Sequence, residues 1–341
     1  MKTAVVLFNL GGPDSLKAVK PFLFNLFNDK AIIALPQPIR YMLASFIARK
    51  RTPKAKEIYD SIGGASPLLE NTQAQAEALE EKLATRGEYK VFVSMRHWKP
   101  FTSATVSEVK DYSPSRVILL PLYPQYSTTT TRSAFDAWYK EAGKQALTMP
   151  HHPVCCYPFD NHFIDAHVQR IQPLLSDAGK RGKPRILFSA HGLPKKIIAK
   201  GDPYQWQVER TVSAILRKLG TVDSVTCYQS RVGSLEWIAP STQEEIERAG
   251  KDEVPVVLVP VSFVSEHVET LAEQDIEYKA LARRSGVPHY ERVPTLSVTD
   301  DFIETLAWLC EGTRLYPNCT NALGRICPKE FKQCGYKEWG G

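Results

Sequence analysis

Short apolar runs rich in β-branched residues recur along the chain at 4–10, 90–95, 116–123, 185–190, 224–228 and 254–263. Between them lie longer stretches with apolar residues at helical spacing, including 72–84, 134–142, 204–219 and 267–284. Runs that are apolar throughout, rather than alternating with polar residues, suit strands buried on both faces. Strands alternating with helices predict an α/β fold, with parallel sheets covered by helices on both sides. Two of the runs echo two others in the same order. Val6-Leu7-Phe8-Asn9-Leu10-Gly11-Gly12 is similar to Ile186-Leu187-Phe188-Ser189-Ala190-His191-Gly192, and 117–122 is similar to 256–261. This predicts two related half-molecules joined near residues 150–175. In such sheets ligands bind beyond the carboxyl ends of the strands, so the residues just after each run are the candidates for chemistry.

The first of these ends is Asn9-Leu10-Gly11-Gly12-Pro13. It lacks the third glycine of a dinucleotide loop and the Gly-Lys-Ser/Thr of a phosphate loop, which argues against dehydrogenases and NTPases. The run 185–190 leads to His191-Gly192, an imidazole with a glycine beside it that lets a ligand approach. Neutral imidazole binds divalent metals or accepts a proton near neutral pH. The run 254–263 leads to Ser265-Glu266-His267-Val268-Glu269, with Ser265 as the expected N-cap. Glu266, Glu269, Glu273 and Glu277 follow at helical spacing. First-turn carboxylates complement a helix dipole, and a solvated face is one account of this line. Hard oxygen ligands beside histidines equally suit transient Fe²⁺ or Mg²⁺, better than a permanent zinc. The ends at Arg96-His97-Trp98 and Tyr123-Pro124-Gln125-Tyr126-Ser127 add a cation, an imidazole, aromatics and hydroxyls.

Composition bounds these readings. The chain has 341 residues, 43% apolar and 23% charged, which fits two α/β domains of a globular protein. The net charge of +6 lacks the broad basic face that nucleic acid requires, so no nucleic-acid partner is expected. Asn9 and Gly11-Gly12-Pro13 interrupt the N-terminal apolar run, which reads as a strand rather than a signal peptide. No run is long enough to span a bilayer, so the expected location is the cytoplasm. Ile39, Met42, Leu43, Phe46 and Ile47 form a helical stripe that ends in Arg49-Lys50-Arg51. That stripe suits the apolar border of a pocket for an anionic ligand, or a peripheral membrane contact at the inner membrane. Seven cysteines without an export signal argue for free thiols or a metal site rather than disulfides.

Taken together, these segments resemble the ferrochelatase family along most of the chain. To the segments above are added Arg51-Thr52-Pro53-Lys54, Tyr59, Ile62-Gly63-Gly64-Ala65-Ser66-Pro67, Gly201-Asp202-Pro203-Tyr204 and Gln229-Ser230-Arg231-Val232-Gly233. The resemblance implies the type II chelatase fold, two Rossmann-like domains with parallel sheets facing across a porphyrin cleft. The expected organisation is an N-terminal half at 1–155 with an apolar lip at 36–51, a C-terminal half at 156–309 carrying His191 and Glu269, and a cysteine-containing tail at 310–341. It implies insertion of Fe²⁺ into protoporphyrin IX with release of two protons, the last step of haem synthesis. His191 and Glu269 are then the metal and proton residues, His267 and Glu273 lie on the same route, and Arg51, Tyr59, Ser66 and Tyr123 contact the porphyrin. Coproporphyrin or sirohydrochlorin as substrate, or a non-catalytic haem or metal carrier, are the alternatives. Some members of the family hold a [2Fe–2S] cluster with one internal cysteine and three in a tail. Thr128 stands at the internal position here. Cys310, Cys319, Cys327 and Cys334, with Cys155 and Cys156, are the candidate ligands, and free thiols are the alternative.

Overall fold

The strands follow the apolar runs closely. The computed structural model describes residues 2–230, 235–314, 319–320 and 324–337; of Cys319 and Lys337 only the backbone is described. Its strands are β1 (Thr3–Asn9), β2 (Tyr89–Met95), β3 (Arg116–Pro121), β4 (His151–Cys156), β5 (Arg185–His191), β6 (Asp223–Gln229), β7 (Val256–Pro260), β8 (Tyr290–Arg292) and β9 (Cys319–Thr320). Every residue of β1, β3 and β7 is buried, which is why these segments are apolar without alternation. The strands left unpredicted lack that signature. β4 opens with two histidines and a proline, and β8 is a half-buried Tyr-Glu-Arg at a sheet edge.

The chain folds as two compact units: 1–156 with 306–325 and 335–341, and 157–305 with 326–334. The first contains a parallel sheet in the order β2-β1-β3-β4-β9, the second a parallel sheet in the order β6-β5-β7-β8. Numbered from its own start, the second unit runs 2-1-3-4, and the first runs the same way with β9 added beside β4. The sequence echoes pair β1 with β5 and β3 with β7, strands that hold the same places in the two sheets. In this order the chain moves from the central strand to one side, then returns to the other. The reversal leaves a crevice beyond the carboxyl ends of β1 and β3 in one unit and of β5 and β7 in the other.

Each sheet is held by its own core. In the first unit Phe8 meets Phe135 and Trp138 edge to face, with ring centroids 5.3 and 5.7 Å apart. In the second, Leu187, Ile246, Leu258 and Tyr278 pack under the sheet. Full burial of such side chains stabilises by about 1.5–3 kcal/mol each. The apolar stripe lies on a helix spanning Gln37–Asp60, and it faces outward: Met42 is 72% and Phe46 64% exposed, while the buried residues are Ala44, Ala48 and Tyr59. The three cations do not end this helix. It continues through Pro53, whose missing N–H costs one backbone hydrogen bond. Among the described residues no helix is long and apolar enough to cross a membrane.

Candidate active site

Glycines shape both crevices. Gly11 adopts φ +84°, and a Cβ there would lie 2.9 Å from the backbone nitrogen of Trp98. A Cβ on Gly192 would lie 2.9 Å from the Gln229 carbonyl oxygen, the acceptor to which Gly192 itself donates at 2.8 Å. A side chain at either position would push the turn off the neighbouring strand end.

In the second unit, His191 is the last residue of β5 and Glu269 opens the segment after β7, so the two flank the crevice. His191 Nε2 lies 3.7 Å from Glu269 Oε1. His191 Nδ1 is 2.6 Å from the Gly192 carbonyl oxygen, which can only accept, so Nδ1 carries the proton. In the neutral ring the Nε2 lone pair is therefore the one turned toward Glu269. The imidazole is 38% and the Glu269 side chain 24% exposed, so a ligand reaches both. On the other oxygen, Glu269 Oε2 is 3.6 Å from His267 Nε2, with the His267 ring against Phe263. Burial pushes the Glu269 carboxyl up, but the charge of His191 and the hydrogen bond and charge of His267 outweigh it and hold the group down to about 2.

Glu269–Tyr278 is a π-helix, with i→i+5 hydrogen bonds. Its register brings Tyr278, five residues on, to Glu273: the Tyr278 hydroxyl donates to Glu273 Oε1 at 2.6 Å. In an α-helix the neighbour would be Glu277, a like charge. The carboxylate also accepts from the Ser230 N–H at 3.0 Å and hydroxyl at 2.6 Å, and from Gln229 Nε2 at 3.0 Å. Burial and the Glu269 charge push Glu273 above the usual carboxylate range, against Ser230, Tyr278 and His191, which pull it down. Two carboxylates one turn apart are thus driven in opposite directions, the arrangement that separates a permanent anion from a proton acceptor.

The expected line of four glutamates breaks up. Ser265 is not the N-cap, because the helix starts after Val268. Glu266 turns to Arg292, accepting from Nη1 at 2.9 Å, while Nε and Nη2 of the same guanidinium grip Asp275 at 2.7 Å each. Glu277 is exposed. The sequence reading passed over Tyr278 and Arg292, which look like ordinary core and edge residues. Tyr204, part of the Gly201-Asp202-Pro203-Tyr204 segment, donates its hydroxyl to Ser262 at 3.1 Å and accepts from the His191 backbone.

In the first unit, Ser66 donates its N–H to Pro13 O at 2.8 Å and packs on Gly12, where a Cβ would collide with it. Tyr59 is buried and Tyr123 half-buried; burial, and then Asp29 against Arg96, keeps the Tyr123 hydroxyl above its usual value. The Arg51 guanidinium lies 5.6 Å over the Phe27 ring. Arg96 and His97 do not present a free cation and imidazole. Arg96 bonds Asp29 at 2.9 Å and Ser133 at 2.8 Å. His97 is fully buried, and desolvation and Arg96, against Asp29, hold it down to about 3, so it is neutral.

Cys310 sits inside the helix Asp300–Gly312, and Cys327 accepts from Gln207 Nε2 at 3.1 Å. Among the described residues, the one set of three His, Cys, Asp or Glu side chains with ligand atoms within 4.8 Å of one another is Asp177, His289 and Glu291, which includes no cysteine. Asp177 there already pairs with Lys180 and Arg181. Around His191 the donors come as pairs rather than a closed cage, which suits a metal in passage.

Comparison with known proteins gives the fold and the family. The solved structure titled SirB from Bacillus subtilis with Fe³⁺ is similar in fold, with TM-score 0.53 and 13% identity over 92% of this chain and 96% of that one. A ferrochelatase of Wolbachia sp. subsp. Drosophila simulans is 54% identical over 91% of this chain and 99% of its own length. One of Rickettsia bellii is 48% identical over 98% and 94%. The ferrochelatase family model matches residues 2–313. With nearly the whole chain matched and about half its residues shared with such relatives, the chain belongs to the ferrochelatase family.

Proposed function

We infer that this chain inserts ferrous iron into protoporphyrin IX with release of two protons, and that His191, Glu269, His267 and Glu273 carry the step. It is a lyase of haem biosynthesis, and iron is its substrate rather than a resident cofactor. The observation that carries the assignment is the pair His191 Nε2 and Glu269 Oε1, 3.7 Å apart, with His191 Nδ1 turned to the Gly192 carbonyl so that Nε2 faces the carboxylate.

Glu269, held ionised, replaces water on the incoming Fe²⁺ and hands it over. His191 Nε2 takes the pyrrole protons, and Glu273, pushed up by burial, receives them next. His267 keeps Glu269 oriented. A positioned base contributes about 10²–10⁴-fold in rate. Arg51, Tyr59, Ser66 and Tyr123 contact the macrocycle, whose binding energy holds it distorted so that nitrogen lone pairs turn out of plane. The exposed stripe Ile39, Met42 and Phe46, with Arg49 and Lys50 beside it, supports a peripheral contact with a membrane surface. The cysteine-rich terminus supports a [2Fe–2S] cluster as the finer reading, and visible charge-transfer bands in freshly purified protein would test it.

Multiple-turnover insertion of Fe²⁺, followed by porphyrin absorbance, tests the function, with coproporphyrin and sirohydrochlorin as competing substrates. His191→Ala should lower kcat and Glu269→Gln should raise the KM for iron, each with the fold intact. Near-normal turnover in both variants refutes the roles, and stoichiometric binding without turnover returns the carrier reading.

A further inference from the structure

The amino edge of the first sheet, at the other end of the strands from Gly11 and Tyr123, holds a buried guanidinium that forms no ion pair among the described residues. Arg116 is the first residue of β3 and pairs in register with Thr3, the first of β1. It is only 7% exposed. Its Nε donates to Thr3 Oγ1 at 3.2 Å, but Nη2 is buried with no hydrogen-bond partner, and among the described residues no carboxylate pairs with the guanidinium. Arginine cannot shed its proton to relieve this. A buried cation is tolerated when an anion meets it. Glu311 pairs with Arg86 at 2.6 Å, and Glu88, which shares a cavity with Arg116, is exposed, with its charge felt at Tyr112.

Arg116 lines a cavity of about 440 Å³ together with Thr3, Gly87, Glu88 and Arg314. Arg314 brings a second guanidinium. It is steadied by Nη2, which donates to the Tyr89 hydroxyl at 2.8 Å and the Arg86 carbonyl at 3.2 Å, and by the Tyr89 ring 5.7 Å beneath it. Gly87 adopts φ +148°, and a Cβ there would stand 3.4 Å from Arg314 Nη2, so glycine keeps this wall clear. Two arginines, one of them buried with its Nη2 unpartnered, make a fork suited to a tetrahedral oxyanion.

We propose that this cavity binds a phosphate group between Arg116 and Arg314, as free phosphate or as a phosphomonoester. Glu88 at the rim opposes the anion and weakens its binding.

The test uses the full chain in chloride buffer at constant ionic strength, titrated with inorganic phosphate and, in a second arm, glycerol phosphate, and followed by thermal unfolding and calorimetry. Phosphate should raise Tm saturably. Arg314→Met should weaken binding at least about tenfold, as loss of charged hydrogen bonds implies, and Glu88→Gln should tighten it. Arg116→Met should abolish the response and leave the phosphate-free protein at least as stable as the parent. Should that variant not fold, the exposed-site variants Arg314→Met and Glu88→Gln decide. A Tm rise matched by chloride alone, or binding unchanged in Arg314→Met, overturns the proposal. Destabilisation of the phosphate-free protein by Glu88→Gln overturns it too, because Glu88 would then be the partner of Arg116.

Discussion

Replacing Arg292 by Met should cost about 3 kcal/mol of stability at neutral pH. The guanidinium is 8% exposed and makes three charge-assisted bonds, two to Asp275 at 2.7 Å and one to Glu266 at 2.9 Å. Each such bond contributes about 1.5–3 kcal/mol, not additively. Breaking a buried pair costs about 3–5 kcal/mol because the partner charge is stranded. Asp275 can regain water, so the lower end applies. The effect carries a pH signature. Burial pushes the Glu266 carboxyl up, and Arg292, with Thr270 and the Thr295 N–H, brings it below its ordinary value. A carboxyl lowered by folding stabilises above its unfolded pKa, and that stability is lost as pH falls through the folded value. The variant lacks this contribution, so the gap between parent and variant should be full at neutral pH and shrink in acid. Urea unfolding at neutral pH and near pH ~4 reads both quantities. A variant within ~0.5 kcal/mol of the parent, the range of ordinary surface substitutions, or a gap that does not change with pH, refutes the reasoning.

Three further outcomes follow from the same structure. Tyr278→Phe should lower iron-insertion turnover while leaving porphyrin binding intact, because it removes the 2.6 Å bond to Glu273; steady-state kinetics would show an unchanged porphyrin KM. Gly192→Ala should keep the fold and lose turnover, since its Cβ meets the Gln229 carbonyl, and circular dichroism beside the insertion assay separates the two effects. His97 and His167 are each lowered from 6.5 to about 3, first by burial, so the folded protein holds them neutral. Their contribution is complete above 6.5 and lost as pH falls toward 3, about 2 kcal/mol each between pH ~7 and ~5. A urea midpoint that is flat across that window would contradict it.

What the sequence revealed follows burial. β1, β3, β5 and β7 were legible because both faces are covered, and even their pairing as a repeat could be read from Val6–Gly12 and Ile186–Gly192. His191 and Glu269 stood out because chemistry-bearing residues sat just past apolar runs. β8 was missed because three half-buried residues carry no period, and with it Arg292. The acidic line at 266, 269, 273 and 277 was read at α-helical spacing, so Glu266 and Glu277 were grouped with Glu269. Nothing in residue type marks a π-register, and only the folded backbone separates them.

That register makes the segment 270–277 sensitive in a way residue identity does not reveal. The hydroxyl under Glu273 arrives by the winding of the backbone, so a substitution that rewinds the segment disarms the carboxylate without touching it. Solvent-facing positions such as Ile276 and Glu277 should therefore behave in a mutational scan like residues of the catalytic centre. Inherited variation there would be tolerated according to its effect on winding rather than on polarity or size.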